Sequence, residues 1–114
     1  MDNPKESPFA CDLTVLSRKE KERVLQLLDI LKQQIQDVRE TPDCYEFTFP
    51  SSTELIQAAG EFISYERLCC PFFDFHLIVD REGGPLRLQF TGREGVKEFI
   101  RFEFGLEKNP GFKQ

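Results

Sequence analysis

A chain of 114 residues, 39% of them hydrophobic and twelve of them phenylalanine, can form one domain with its own apolar core and needs no disulfide to hold it. The net charge of −5 is spread along the chain without a basic stripe, so nucleic acid is not an expected partner. Without a signal-peptide pattern or an apolar run near the ~20 residues of a membrane span, we expect a cytoplasmic protein with no membrane partner, whose four cysteines are thiols.

The first third of the chain predicts a strand followed by a long helix. Residues 1–7 are polar and are expected to form a flexible segment, and the alternation over residues 8–14 predicts a strand. Ser17-x-x-Glu20 is a capping box that opens a helix. The apolar stripe of that helix consists of Val24, Leu28, Leu31, Ile35 and Val38.

The middle of the chain predicts a second strand and a second helix. Residues 44–49 alternate between aromatic and polar side chains up to Pro50, as in a half-buried strand. Ser51-x-x-Glu54 is a second capping box, and the helix that it opens should run to about Cys70, because Pro71 cannot continue it.

The last third predicts a hairpin and a third helix. Residues 73–80 alternate again, Glu82-Gly83-Gly84 forms the turn, and residues 85–90 are the partner strand. Thr91-x-x-Glu94 then caps a helix that Gly105 closes. Residues 106–114 are expected to be a flexible tail.

The predicted order is therefore β-α-β-α-β-β-α within a single α+β domain, residues 8–105. Each predicted strand has one apolar and one largely polar face. We therefore expect a two-layer sandwich in which helices cover one face of a four-stranded sheet. Strand order does not follow from these patterns.

The strongest local signal is a carboxylate followed by two neighbouring thiols. On a helix, Glu66 falls near the centre of the apolar sector, with Cys69 about 60° to one side and Cys70 about 40° to the other. Burying a charged glutamate without a partner costs on the order of several kcal/mol. Glu66 must therefore be neutral, be paired with another group or face a pocket that contains water. If the first predicted strand lies under this helix end, Cys11 joins the group.

Three thiolates and a carboxylate suit Zn²⁺, and the thiols alone suit softer species such as Hg²⁺, Cu(I) or As(III). The sequence therefore predicts a metal site made of Cys11, Glu66, Cys69 and Cys70. The competing interpretation is that these cysteines are small core residues. Adjacent cysteines are also not the Cys-x-x-Cys pattern of a structural zinc site, and the dipole at a helix C-terminus disfavours thiolates.

Two other chemically active residues are expected to lie elsewhere. By strand parity, His76, which is the only histidine, and Cys44 fall on the polar face of the sheet. We expect His76 to be exposed and Cys44 to be incidental, so the sequence assembles no Ser-His-Asp or Cys-His nucleophile.

The run Glu66-Arg67-Leu68-Cys69-Cys70-Pro71-Phe72 resembles the signature Glu-x-x-Cys-Cys-Pro-Phe of a family of small, mostly uncharacterised bacterial proteins. Three further elements fit this resemblance, and with the signature they span nearly the whole chain: residues 10–13, residues 45–47 and residues 92–99. The family is loosely associated with heavy-metal resistance. The resemblance implies that Cys11, Glu66, Cys69 and Cys70 belong together and names no reaction.

Three functional hypotheses follow, and the oligomeric state is not determined by any of them. The leading one is a cytoplasmic protein that binds a thiophilic metal ion, a metalloid or a small molecule at the cysteine cluster. The second is a redox or nucleophilic enzyme in which Cys69 or Cys70 reacts and Glu66 shuttles a proton, which requires a thiol pKa well below ~8.5. The third is a noncatalytic interaction module.

Overall fold

The computed structural model describes residues 12–42, 44–92 and 95–103, and within them the chain forms three α-helices and one four-stranded antiparallel sheet. The predicted α+β class is confirmed. The elements are α1 (Arg18–Gln34), β1 (Asp37–Glu40), β2 (Cys44–Phe49), α2 (Thr53–Cys69), β3 (Phe73–Val79), β4 (Leu86–Gly92) and α3 (Val96–Glu103), preceded by a short 3-10 helix, Leu13–Val15. No helix in these ranges is both long and apolar enough to cross a membrane.

The sheet has the strand order β1-β2-β4-β3, and every neighbouring pair is antiparallel. The chain therefore makes one hairpin from β1 and β2, crosses through α2 to the far edge, and returns through β4 to the centre. Helix α2 therefore lies between the two hairpins in the sequence, and the pairing of β2 with β4 joins the hairpins in one sheet.

The predicted element order is wrong in the first part of the chain. The end of the predicted first strand forms the 3-10 helix, and residues 8–11 lie outside the described residues. The predicted first helix ends at Gln34, and Asp37–Glu40 is a strand. The described order of helices and strands is α-β-β-α-β-β-α.

The apolar spacing from Ile35 to Val38 misled the sequence interpretation because it fits both a helix and a strand. Ile35 takes an extended backbone with φ −64° and ψ 123°, which ends the helix. Val38 then pairs with Phe47 across the hairpin and is buried. Pairing with β2 makes this segment a strand rather than a continuation of the helix. The spacing of apolar residues along the chain does not predict that pairing.

Two helix and turn signals were placed to within a residue, whereas the predicted cap Thr91 of the third helix is wrong, because Thr91 belongs to β4 and α3 begins at Val96. The Ser17–Glu20 capping box is present in full. The cap of α2 is Ser52, which accepts a hydrogen bond from the Leu55 amide, rather than Ser51. In the β3–β4 turn the positive φ angles fall on Glu82 and Gly83, one residue earlier than the paired glycines suggested. The predicted closing Gly105 and the terminal segments 1–7 and 106–114 lie outside the described residues.

The core lies between helices α1 and α2 and one face of the sheet. Phe90 of β4 is at its centre, with its ring 5.6 Å from that of Phe47, 5.3 Å from that of Phe73 and 5.2 Å from that of Phe75. Phe62 of α2 lines the same apolar recess as Phe47 and Phe90 and is 1% exposed. Burying each such ring stabilises the fold by about 1.5–3 kcal/mol, so α2 is held firmly on the sheet.

Helix α3 is attached to the sheet by a half-buried ion-pair network centred on Glu40 of β1. The Glu40 carboxylate lies 2.7 Å from Lys97 Nζ and 2.8 Å from Arg101 Nη2. The Tyr45 hydroxyl donates to the same carboxylate at 3.1 Å and accepts from Arg101 Nε at 3.0 Å. The hydrogen bond from Lys97 is the largest cause that lowers the pKa of Glu40 below its ordinary 4.5.

We predict that Glu40→Gln lowers the free energy of unfolding by about 1–3 kcal/mol at neutral pH, because it removes a negative charge that two partly buried cations share. A carboxyl group with a lowered folded-state pKa stabilises the protein above the unfolded-state pKa and loses that stabilisation as pH falls through the folded-state value. The difference between wild type and variant should therefore shrink below pH 4.5, the ordinary pKa of the group. Urea unfolding across pH measures it.

Glu22→Gln is the matched control, because the Glu22–Arg18 pair is exposed, with side-chain accessibilities of 66% and 94%. It should cost no more than about 0.5 kcal/mol. Equal losses in the two variants would contradict the special role of Glu40.

Candidate functional site

The predicted cysteine pair lies at the C-terminal end of α2, where the chain leaves the helix. Cys69 is the last helical residue and Cys70 is the cap, whose amide donates to the Glu66 carbonyl at 2.8 Å. Cys70 has φ −126° and ψ 71°, outside the helical region. Pro71 explains this ending, because its ring disfavours a helical conformation in the preceding residue.

Both cysteines are buried although they terminate a helix. Their side chains are 0% exposed, whereas Leu68 beside them is 43% exposed and Pro71 is also exposed. The two sulfurs therefore point into the protein at a place where its surface is close.

The Cys69 thiol is held protonated by its surroundings. Its sulfur donates to the Tyr65 carbonyl at 3.5 Å, one turn back along the helix. Burial raises the pKa of this thiol most, and the negative charges of Glu66, Asp12 and Glu20 raise it further. Cys69 is thus a poor nucleophile at neutral pH, which counts against its use as an activated thiolate.

Glu66 lies beside Cys70, as its position four residues earlier predicted. Glu66 Oε1 lies 3.5 Å from Cys70 Sγ. The side chain is half-buried, and its charge also raises the pKa of the Cys69 thiol. The carboxylate thus acts on both cysteines.

Cys70 is disulfide-bonded, whereas Cys44 and Cys69 are free thiols. This differs from the expectation that all four cysteines are thiols. The fourth cysteine, Cys11, lies outside the described residues, and the prediction that it joins the cluster stays a prediction.

Asp12 is a member of the site that the sequence interpretation missed. Its amide donates to the Cys69 carbonyl at 2.9 Å, which ties the start of the described chain to the end of α2. Its carboxylate accepts from the Thr14 amide at 3.0 Å, and this interaction, with that of the Thr14 hydroxyl, lowers the Asp12 pKa. The Asp-x-Thr spacing before Leu13–Val15 was a readable turn signal, but the approach to Cys69 was not.

Within the described residues, no group of three or more His, Cys, Asp or Glu side chains is arranged to hold a metal ion. Glu66, Cys69 and Cys70 are the described members of the predicted set, and the side chains of Glu66 and Cys70 are in contact. A ligand set that includes Cys11 is not tested by this observation.

The remaining polar candidates lie away from this site. His76 is exposed on β3 opposite Gln89, as predicted from strand parity. Cys44 begins β2, and its sulfur lies 3.2 Å from the Thr41 hydroxyl oxygen. Its side chain alternates with that of Tyr45 and so belongs to the opposite sheet face from the core. Substitution of Cys44 is therefore a suitable control in a metal-binding experiment.

Comparison of the chain with models of protein families, with curated proteins and with solved structures found no match. The functional argument therefore depends on the chemistry of the cluster at the end of α2.

We predict that Cys69 in the native protein is alkylated by iodoacetamide at neutral pH more slowly than in urea, because burial shields the sulfur and its raised pKa lowers the thiolate fraction. Peptide mass spectrometry over a series of times and pH values gives the rate at this residue. Fast native alkylation that is half-maximal at a lower pH than in urea would contradict the assignment and favour a nucleophilic thiol.

Proposed function

We propose that the reduced protein binds a thiophilic metal ion or metalloid at the end of α2. Cys69 and Cys70 are the primary ligands, Cys11 is the third, and Glu66 is the fourth ligand or the charge partner. This protein acts in the bacterial cytoplasm, where thiols are kept reduced, and it belongs with the small proteins that carry the Glu-x-x-Cys-Cys-Pro-Phe signature.

The observation that carries the proposal is the negative charge around a buried pair of neighbouring sulfurs. Glu66, Asp12 and Glu20 raise the pKa of the Cys69 thiol. A field that opposes a lone thiolate favours a cation at the same place, and an arriving cation displaces the thiol proton. The negative end of the α2 dipole acts in the same direction.

The ligand types select soft and borderline ions. Thiolates favour Cu(I), Hg²⁺ and Zn²⁺ over Mg²⁺ or Ca²⁺, which prefer oxygen ligands. Arsenic(III) also bonds to thiolates, but it reaches the site as a neutral hydroxide and gains less from the surrounding charge. We therefore rank cations above As(III) as the preferred cargo.

The fold supports the proposal by holding the site at one end of a rigid helix. We place α1, α2 and α3 on one face of the sheet, as a two-layer α+β sandwich. The contact of Phe62 with the aromatic face supports this placement for α2, and the ion pairs of Glu40 support it for α3.

A thiol-disulfide enzyme is the second candidate, and the disulfide of Cys70 favours it. The raised pKa of Cys69 argues against that residue as the attacking thiolate. Metal binding needs no lowered thiol pKa before the metal arrives. It is therefore the better account of the whole cluster.

We predict that the double variant Cys69→Ser/Cys70→Ser binds Zn²⁺ and Hg²⁺ more than about 100-fold more weakly than wild type, since direct ligands contribute more than the roughly 10- to 100-fold of outer-sphere partners. Protein reduced with a phosphine and desalted under argon is titrated in competition with chelators of known affinity.

Cys44→Ser is the matched control, because it removes one buried thiol on the other face of the sheet and should leave the affinity within about twofold. Far-UV circular dichroism checks that each variant is folded. Equal affinity in the double variant, the control and wild type would refute the proposal.

We predict that Glu66→Gln lowers the affinity for Zn²⁺ by about 10- to 100-fold, as for loss of a charge partner or ligand. Gln keeps the shape of the side chain and removes only its charge. Glu54→Gln, in the first turn of the same helix and exposed, should have no effect. An unchanged affinity in Glu66→Gln would remove Glu66 from the site.

A further inference from the structure

We propose that the protein forms a symmetric dimer in which the free edge of β3 pairs with the same edge of a second copy. The two β3 strands run antiparallel about a two-fold axis at His76, and their pairing joins the two sheets into one continuous sheet. This inference does not depend on metal binding at the end of α2.

The two edges of the sheet differ in how well they are protected against pairing. Strand β1 forms one edge and β3 forms the other. β1 is four residues long and carries two exposed charged side chains, Asp37 and Arg39. Short strands and charged side chains are the features with which natural proteins protect an edge. β3 is seven residues long and contains no proline, lysine or arginine, so its edge is the one open to another strand.

The backbone of β3 can accept such a strand. In the described part of the chain, β4 is the one strand that pairs with β3. Alternate residues of an edge strand direct their N–H and C=O groups away from the sheet, and a further antiparallel strand pairs with these groups. An added strand at this edge therefore continues the hydrogen-bonding pattern that β3 and β4 already share.

The side chains of β3 are less covered than those of its neighbour β4. Leu86 and Leu88 of β4 are buried. Across the pairing they lie opposite Val79, which is 53% exposed, and Leu77, which is half-buried. Ile78, on the other face of β3, is also half-buried. The apolar cover of the sheet thus ends at β4 and leaves an apolar strip along the edge in contact with water.

The sequence of β3 is complementary to itself, and for this reason we assign the edge to a second copy. A two-fold axis perpendicular to the sheet keeps each face on its own side, so opposed residues must share strand parity. With the axis at His76, Phe75 lies opposite the partner's Leu77, and Phe73 lies opposite the partner's Val79. Apolar side chains then meet over the whole strand, and any other register of the same parity shortens this overlap.

The polar face of β3 fits the same register. Asp74 lies opposite the partner's Ile78 and diagonally beside the partner's His76, whose ring N–H can donate to the carboxylate. The two His76 rings meet on the axis. A register centred on Leu77 opposes Asp74 to the partner's Asp80, and like charges directly opposite each other are destabilising.

The association is tested by sedimentation velocity on the wild-type protein over a range of concentrations, with a phosphine present to prevent disulfide-linked dimers. We expect a monomer–dimer equilibrium in which the mean mass rises toward twice that of one chain. Growth stops at the dimer because a two-fold pairing uses up the edge that it depends on. A monomer at every concentration, or assembly beyond the dimer, would overturn the proposal.

Hydrogen–deuterium exchange at low and high protein concentration locates the interface. Amides of residues 73–79 should exchange more slowly in the concentrated sample, because pairing protects those that face the edge. Residues 37–40, at the other edge, should exchange equally in both samples. A dimer in which residues 73–79 gain no protection would overturn the assignment to β3.

Substitutions at Ile78 test the register. Ile78→Asp opposes a second carboxylate to Asp74 on both sides of the axis and removes an apolar contact, so the dissociation constant of the dimer should rise at least about tenfold. The double variant Asp74→Lys/Ile78→Asp opposes unlike charges at the same positions and should recover most of the affinity.

Asp37→Lys is the matched control, because it changes an exposed charge at the other edge of the sheet, and it should leave the affinity within about twofold. Equal affinity in Ile78→Asp and wild type, or no recovery in the double variant, would overturn the register. Weakening by Asp37→Lys would overturn the choice of edge. Far-UV circular dichroism checks that each variant is folded, and the wild-type measurements stand even if a variant is not.

Discussion

Packing of α2 against the aromatic face of the sheet is the constraint on which the rest of the structure depends. The Phe90 ring contacts those of Phe47, Phe73 and Phe75, which belong to the two strands that flank β4, and Phe62 of α2 borders the same recess. Ala59, one turn before Phe62, is 0% exposed and lets the helix backbone approach the sheet closely. An α-helix is stiff, so this contact sets the position of the helix end, where the cysteines lie.

The helix end combines burial, negative charge and sulfur, and the negative charge favours a proton on the Cys69 sulfur or, in our proposal, a metal cation in its place. Burial and the neighbouring carboxylates favour the neutral thiol of Cys69. The same carboxylates favour a cation, whose bonds to sulfur replace the lost proton. Such a thiol is a poor nucleophile, and a soft cation is the ligand that we propose for it. The disulfide at Cys70 adds an oxidation state in which the Cys70 sulfur is neither a nucleophile nor a metal ligand.

The elements predicted correctly were those with local signals. The Ser17–Glu20 capping box sets the start of α1, and the glycine-rich turn after β3 sets the hairpin with β4. The segment after Gln34 was assigned to the wrong element because one apolar spacing fits helix and strand alike. Its pairing partner, β2, resolves the choice. The strand predicted over residues 8–14 was wrong at its described end for a similar reason. Its alternating pattern is too short to distinguish a strand from the 3-10 helix at Leu13–Val15.

By itself the sequence determined that Glu66, Cys69 and Cys70 share the last turn of a helix, because residues three and four apart meet on one helix face and Pro71 ends it. Only the tertiary structure decided that both sulfurs are buried, that Asp12 reaches the Cys69 carbonyl, and that Cys70 is in a disulfide. The Asp12–Cys69 hydrogen bond joins segments that are dozens of residues apart. The distance between these segments is set by how α2 packs on the sheet. A periodic pattern within one helix or strand carries no information about that packing.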